Sequence, residues 1–136
     1  MILIDTSYFV ALLDPRDGLH AHAKAWAAHI TEPLVVTEHV LWETINFASH
    51  PVNRPKVHAL VAHVRAEKSY ELIPASPDLF EAGLDLHARR PDTEWSLTDC
   101  ISFVVMARRG ITRALTYDHH FEQAGFEALL RRAPGL

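Results

Sequence analysis

Short apolar runs alternate with helical stretches along this chain, and that alternation limits its fold more than anything else in the sequence. Ile2-Leu3-Ile4, Pro33-Leu34-Val35-Val36, Glu71-Leu72-Ile73 and Arg113 to Thr116 are each too short for a stable helix and read as strands. Between them lie stretches with helix starts and stops. Thr6 or Ser7 is placed to cap a helix from Tyr8 to Leu13, which Asp14-Pro15 ends; an Ala-rich helix covers His20 to Ile30. Thr37 is placed to cap a helix running to about Ser49, and another spans about Val57 to Lys68. Ser76-Pro77-Asp78 opens one that Pro91 closes, and Thr98 caps an apolar helix that ends at Gly110. His119 to Ala124 is a short helix closed by Gly125, while residues 126–130 fit either an edge strand or a helix. Strands alternating with helices predict an α/β fold. The expected form is a three-layer α/β/α sandwich with a central, mostly parallel sheet of four or five strands. With no repeats, low-complexity runs or linkers in 136 residues, the expectation is one domain over residues 1–136.

Four acids stand at the ends of these core elements. Asp5 follows the first strand, and Asp118 follows the fourth. Asp99 falls in the first turn of the apolar helix, and Glu43 edges the inward face of the helix after Thr37. A carboxylate is rarely buried unless it is paired or bound to a cation. In open α/β sheets, ligands bind outside the carboxyl ends of the strands, so four segments can deliver carboxylates to one sheet edge. Each acid alone has an ordinary reading: a cap or turn for Asp5 and Asp118, a dipole partner for Asp99, a solvated helix margin for Glu43. Their convergence is what those readings leave unexplained.

At these places the chain resembles a PIN domain, in particular the VapC-type toxins of bacterial toxin–antitoxin pairs. The segments that carry the resemblance are Ile4-Asp5-Thr6-Ser7, Thr37 to Glu43, Ser96-Leu97-Thr98-Asp99-Cys100, and Leu115-Thr116-Tyr117-Asp118-His119-His120-Phe121. It covers the whole chain in order. It implies a compact PIN-like α/β/α fold and a ribonuclease dependent on one or two divalent ions, Mg²⁺ or Mn²⁺. Asp5, Glu43, Asp99 and Asp118 would be the acidic catalytic and metal-binding set, with Ser7 and Thr116 supporting it by hydrogen bonds. It also implies an RNA substrate, a cognate antitoxin and a homodimer. Leu60, Val61 and Val64, on one side of the helix from Val57, fit either that dimer interface or the core. The chemistry is coherent: hard cations prefer oxygen ligands, and a metal held by carboxylates can activate water and neutralise a phosphodiester.

Bulk composition neither recommends nor excludes RNA. The net charge of −4 resides in residues 1–50, and the remaining 86 residues balance eleven acids with eleven bases. The arginine pairs 89–90, 108–109 and 131–132 could hold phosphates or serve as helix-end charges. No apolar stretch approaches the roughly 20 residues of a membrane span, and no basic leader precedes the first strand, so the expectation is cytoplasmic, without membrane contact. The single Cys100 excludes an internal disulfide and sits as packing in an apolar helix. His20, His22 and His29 lack zinc-site spacing. His119 and His120 adjoin Asp118 and could touch the substrate, with no catalytic role assigned by the sequence.

Three alternatives differ in kind: a PIN-type RNA-processing nuclease without an antitoxin, a phosphotransfer enzyme, and a non-catalytic RNA- or partner-binding module. The second lacks an acid-x-acid pair after the first strand, since Thr6 and Ser7 follow Asp5, and lacks a glycine-rich phosphate loop. The third sits poorly with an intact acidic set.

Overall fold

In the computed structural model, which describes residues 1–135, all strands run parallel and β1 lies at the centre of the sheet. The strands are β1 (Ile2–Ile4), β2 (Leu34–Thr37), β3 (Tyr70–Ile73), β4 (Arg113–Leu115) and β5 (Glu127–Ala128), in the order β3-β2-β1-β4-β5. The helices are α1 (Thr6–Leu13), α2 (His20–His29), α3 (Glu38–Phe47), α4 (Arg54–Ala66), α5 (Pro77–Arg89), α6 (Leu97–Arg109) and α7 (His119–Gln123).

Side chains alternate across a strand, and here both faces are covered. Ile2 and Ile4 of β1, Leu34 and Val36 of β2 and Leu115 of β4 enter one core with Tyr8, Phe9, Val40 and Val64 from α1, α3 and α4. Leu3, Val35 and Ala114 point the other way, into a core with Leu79, Ile101, Phe103 and Phe121 from α5, α6 and α7. That double burial is why the central strands read as unbroken apolar runs. Glycine at position 83 lets α5 approach α6: a Cβ there would stand 2.5 Å from Ile101 Cγ1.

The chain moves outward from β1 to β3 on one side, then returns to β4 on the other. The connections therefore reverse direction between β1 and β4, and the carboxyl ends of those two strands flank the resulting crevice.

Several local expectations are corrected. α1 starts at Thr6 with Asp5 in the N-cap position, and no side chain caps it. Ser96, not Thr98, caps α6, because a hydroxyl three residues before Asp99 can exchange hydrogen bonds with it in a capping box. α4 begins at Arg54, so Pro55 lies within its first turn rather than before the helix, a place where proline loses no helical hydrogen bond. Residues 126–130 contain both a two-residue strand and the start of a 3₁₀ turn, Leu129–Arg131. The caps at Thr37, Ser76 and Gly110 (φ 66°) stand as expected.

The face of α4 offered for a dimer interface contributes to the core, with Leu60 and Val61 left partly exposed. Val64 is buried, and Leu60 and Val61 pack against the first cluster.

Candidate active site

At the crevice, Asp5 leaves β1 while its backbone N–H donates to the Leu115 carbonyl at 3.2 Å, linking the ends of β1 and β4. Its side chain is buried, 6% exposed. Two hydroxyls converge on one of its oxygens: Thr116 Oγ1 donates to Oδ2 at 2.8 Å and Ser7 Oγ at 3.0 Å. Each hydroxyl is oriented in turn by a backbone donor. Thr116 Oγ1 accepts from the Asp118 N–H at 3.0 Å, and Ser7 Oγ accepts from the Tyr117 N–H at 3.2 Å. The segment after β4 thus positions the acid after β1.

Burial pushes the Asp5 carboxyl up to about 6, against the Thr116 hydrogen bond, and the Asp99 charge raises it further. Asp99 is 7% exposed and is likewise raised, chiefly by burial, with Asp118 adding to the rise. Its Oδ2 accepts the Ser96 N–H at 3.1 Å and lies 3.1 Å from His120 Nδ1. The same imidazole nitrogen is 3.3 Å from Asp118 Oδ1. His120 therefore bridges two acids that sequence reasoning placed together, and it is the site residue to which the sequence assigned no catalytic role. Its proximity to Asp118 in the chain was the one available signal.

Asp118 caps α7 by accepting the His120 N–H at 2.9 Å, so the turn reading of this acid describes one of its contacts. Ligand atoms of Asp118, His119 and His120 all lie within 4.8 Å of one another.

Glu43 stands apart. It is exposed on α3 and lines a cavity of about 230 Å³ with His39, Trp42, Asn46 and Thr98. Thr98 immediately precedes Asp99 in the chain, but Asp5, Asp99 and Asp118 do not line this cavity. The structure thus couples Asp5, Asp99 and Asp118 electrostatically, with Ser7 and Thr116 hydrogen-bonded to Asp5, and leaves Glu43 outside these contacts.

The donor set suits a hard divalent cation. Two buried carboxylates and a half-buried third offer oxygen, and the charge acting on Asp5 from its surroundings is that of another acid. Such a cluster is costly unless a cation compensates it. His119 is a poorer ligand candidate, with a side chain 67% exposed.

A parallel sheet with this connectivity and acids at the reversal point defines a class: the chain belongs to the PIN-domain family, whose model matches residues 2–127. Among curated proteins it is similar to the 23S rRNA-specific endonuclease VapC20 of Mycobacterium tuberculosis. The two are 34% identical over 128 residues, covering 93% of this chain and 95% of VapC20. The crystal structure of that VapC20, a sarcin–ricin-loop-cleaving toxin, matches with a TM-score of 0.84 and 29% identity over 93% of this chain and 96% of that one. FitAcB from Neisseria gonorrhoeae shares the fold, with a TM-score of 0.66 and 18% identity over 94% of this chain and 96% of its own.

Proposed function

We propose that this chain is a divalent-metal-dependent endoribonuclease and the toxin of a toxin–antitoxin pair, acting in the cytoplasm as one domain over residues 1–136. The observation that carries the catalytic part is the coupled, buried pair Asp5 and Asp99, joined through His120 to Asp118. The relationship to VapC20 supports both the nuclease and the toxin reading, and ribosomal RNA as the first substrate to try.

Asp5, Asp99 and Asp118 would hold Mg²⁺ or Mn²⁺, with Glu43 completing the set from the α3 side. When bound, one or two such ions supply charge neutralisation at the phosphate and an activated water. The chain's own residues prepare the site. Thr116 and Ser7 hold the Asp5 carboxylate in one orientation and favour its ionised form. The Asp118 N–H fixes the Thr116 hydroxyl, so the two acids are positioned by one hydrogen-bonded path. The capping box holds Asp99, and His120 holds Asp99 and Asp118 in register.

Among the described residues no helix is long and apolar enough to cross a membrane. Trp42, Phe80 and Leu84 are large apolar side chains left exposed, and they offer contact area for an antitoxin or a second copy.

The test uses purified protein freed of any partner, incubated with ribosomes and with total RNA in Mg²⁺, Mn²⁺ or EDTA. Discrete cleavage that requires metal and is lost in Asp5→Asn and Asp99→Asn is the expected result. Cleavage that survives in both variants would refute the assignment.

A further inference from the structure

Eight of the ten arginines form ion pairs with carboxylates of the same chain. The three arginine pairs noted in the sequence are all so engaged: Arg108 with Asp78 at 2.5 Å and Arg109 with Glu71 at 2.5 Å are examples. Guanidinium groups held by acids are poorly placed to grip phosphates. With most arginines paired and a net charge of −4, affinity from sources other than protein cations gains weight. The next sequence-tolerant source of affinity is stacking of unpaired bases on rings.

Two exposed rings flank Asp118 in the chain. Tyr117 is 45% exposed, and the Arg131 guanidinium lies 4.5 Å from its ring centroid. Its backbone is fixed on both sides: the N–H donates to Ser7 Oγ at 3.2 Å, and the carbonyl accepts from Arg131 Nη1 at 2.6 Å. The His119 ring stands 4.6 Å from the ring of His120, itself held by Asp99 and Asp118. Each exposed ring is therefore backed on one side by an anchored group: Tyr117 by Arg131, which Glu122 holds, and His119 by His120, which the site acids hold. Isolated exposed tyrosines are ordinary on protein surfaces; a backed, backbone-clamped one beside a site carboxylate is a built surface.

Resting on the nuclease reading above, we propose that Tyr117 and His119 stack the unpaired nucleobases on either side of the scissile phosphate, so that this chain selects splayed-out, single-stranded RNA. Unstacked loop bases are what proteins read on aromatic side chains, whereas paired A-form RNA hides its faces.

The test has two arms. Binding is measured by fluorescence anisotropy in Mg²⁺, in a cleavage-silent Asp99→Asn background, with a labelled sarcin–ricin-loop hairpin, an unstructured oligouridine and a fully paired duplex. Cleavage of the hairpin is followed in the otherwise unmodified protein. Tyr117→Ala is expected to weaken binding of both unpaired probes, and to raise KM, by about 5- to 100-fold, with kcat little changed. Tyr117→Phe should keep the parent values, His119→Ala should act in the same direction as Tyr117→Ala, and the duplex should bind poorly. Between about 50 and 200 mM salt, affinity should fall less than about tenfold, since few phosphates are neutralised. Unchanged affinity and KM in a folded Tyr117→Ala, or duplex bound as tightly as oligouridine, would overturn the proposal. So would loss of antitoxin binding in that variant with RNA affinity intact, which would assign the ring to a protein partner. If the unmodified protein cleaves nothing, the nuclease reading fails, and the anisotropy arm still decides the stacking.

Discussion

Replacing Asp5 by asparagine should stabilise the metal-free protein while destroying its activity. The carboxyl, 6% exposed, is raised from 3.8 to about 6, mainly by burial. That rise corresponds to a cost on the order of 3 kcal/mol for keeping the group ionised in the native state. The sign follows from linkage. Between about pH 3.8 and 6 the native protein holds a proton that the unfolded chain has released, so stability falls as pH rises through that window and the full cost is present at neutral pH. Asparagine removes the charge, and its carbonyl oxygen can still accept from Thr116 and Ser7. With relaxation around the site discounted, a gain of about 1 to 3 kcal/mol is expected. An unfolding entropy of about 2.1 cal/mol/K per residue makes that a rise in Tm of about 3 to 10 °C. Scanning calorimetry in EDTA would measure both proteins at about pH 7.5 and about pH 4. At the lower pH the native Asp5 is already protonated, and the difference should shrink below about 1 kcal/mol. A variant less stable at pH 7.5, or equally more stable at both pH values, would refute the reasoning from buried charge.

Other consequences follow from the same geometry. Asp99→Asn should reduce RNA cleavage below detection, and Glu43→Gln should reduce it less, because Glu43 is exposed and apart from the coupled aspartates; equal losses in a cleavage assay would contradict this ranking. Thr116→Val removes the shorter of the two hydroxyl bonds to Asp5 and should lower Mn²⁺ affinity by about 10- to 100-fold, as expected for a group that orients a ligand. Mn²⁺ affinity of the unmodified protein, read by calorimetric titration, should weaken as pH falls through about 6, where Asp5 takes up a proton. Gly83→Ala would ordinarily favour a helix. Here the new Cβ would meet Ile101 Cγ1 at 2.5 Å, and a loss of about 1 to 3 kcal/mol in urea denaturation is expected.

What the sequence revealed depended on how far apart the cooperating residues lie. β1 and β2 were legible because burial on both faces writes apolar runs into the chain; β3 and β4 were read from short apolar runs beside turn and helix signals, whereas β5, two residues long, leaves no period to detect. Asp5, Asp99 and Asp118 stood out because each is a polar residue at the end of an apolar element. Relations across the chain were hidden. His120 meets Asp99 from 21 residues away, and the acids that engage Arg108 and Arg109 lie 30 and 38 residues distant. The choice of Ser96 over Thr98 as the cap was present in the spacing, since only Ser96 stands three residues before Asp99. A hydroxyl beside the acid was the more obvious candidate and the wrong one.

That cap gives a last test, because Asp99 belongs both to a helix end and to the candidate site. Its Oδ2 accepts the Ser96 N–H while the Ser96 hydroxyl accepts the Asp99 N–H at 3.0 Å. Asp5 is tied down in the same way, through Oδ2, by Thr116 and Ser7. In both buried acids the protein restrains the carboxylate through Oδ2, which fixes its orientation before any cation arrives. Ser76 caps α5 by the same hydroxyl bond, to the Leu79 N–H at 3.1 Å, and it opens a helix with no acid of the crevice. Ser96→Ala and Ser76→Ala should therefore each cost about 1 kcal/mol of stability. Ser96→Ala alone should also weaken Mn²⁺ binding, since the lost hydroxyl bond anchors the backbone N–H of Asp99 itself, while the Ser96 N–H still donates to Asp99 Oδ2. Equal metal affinity in the two variants, at matched losses of stability, would show that the capping box serves the helix and not the site.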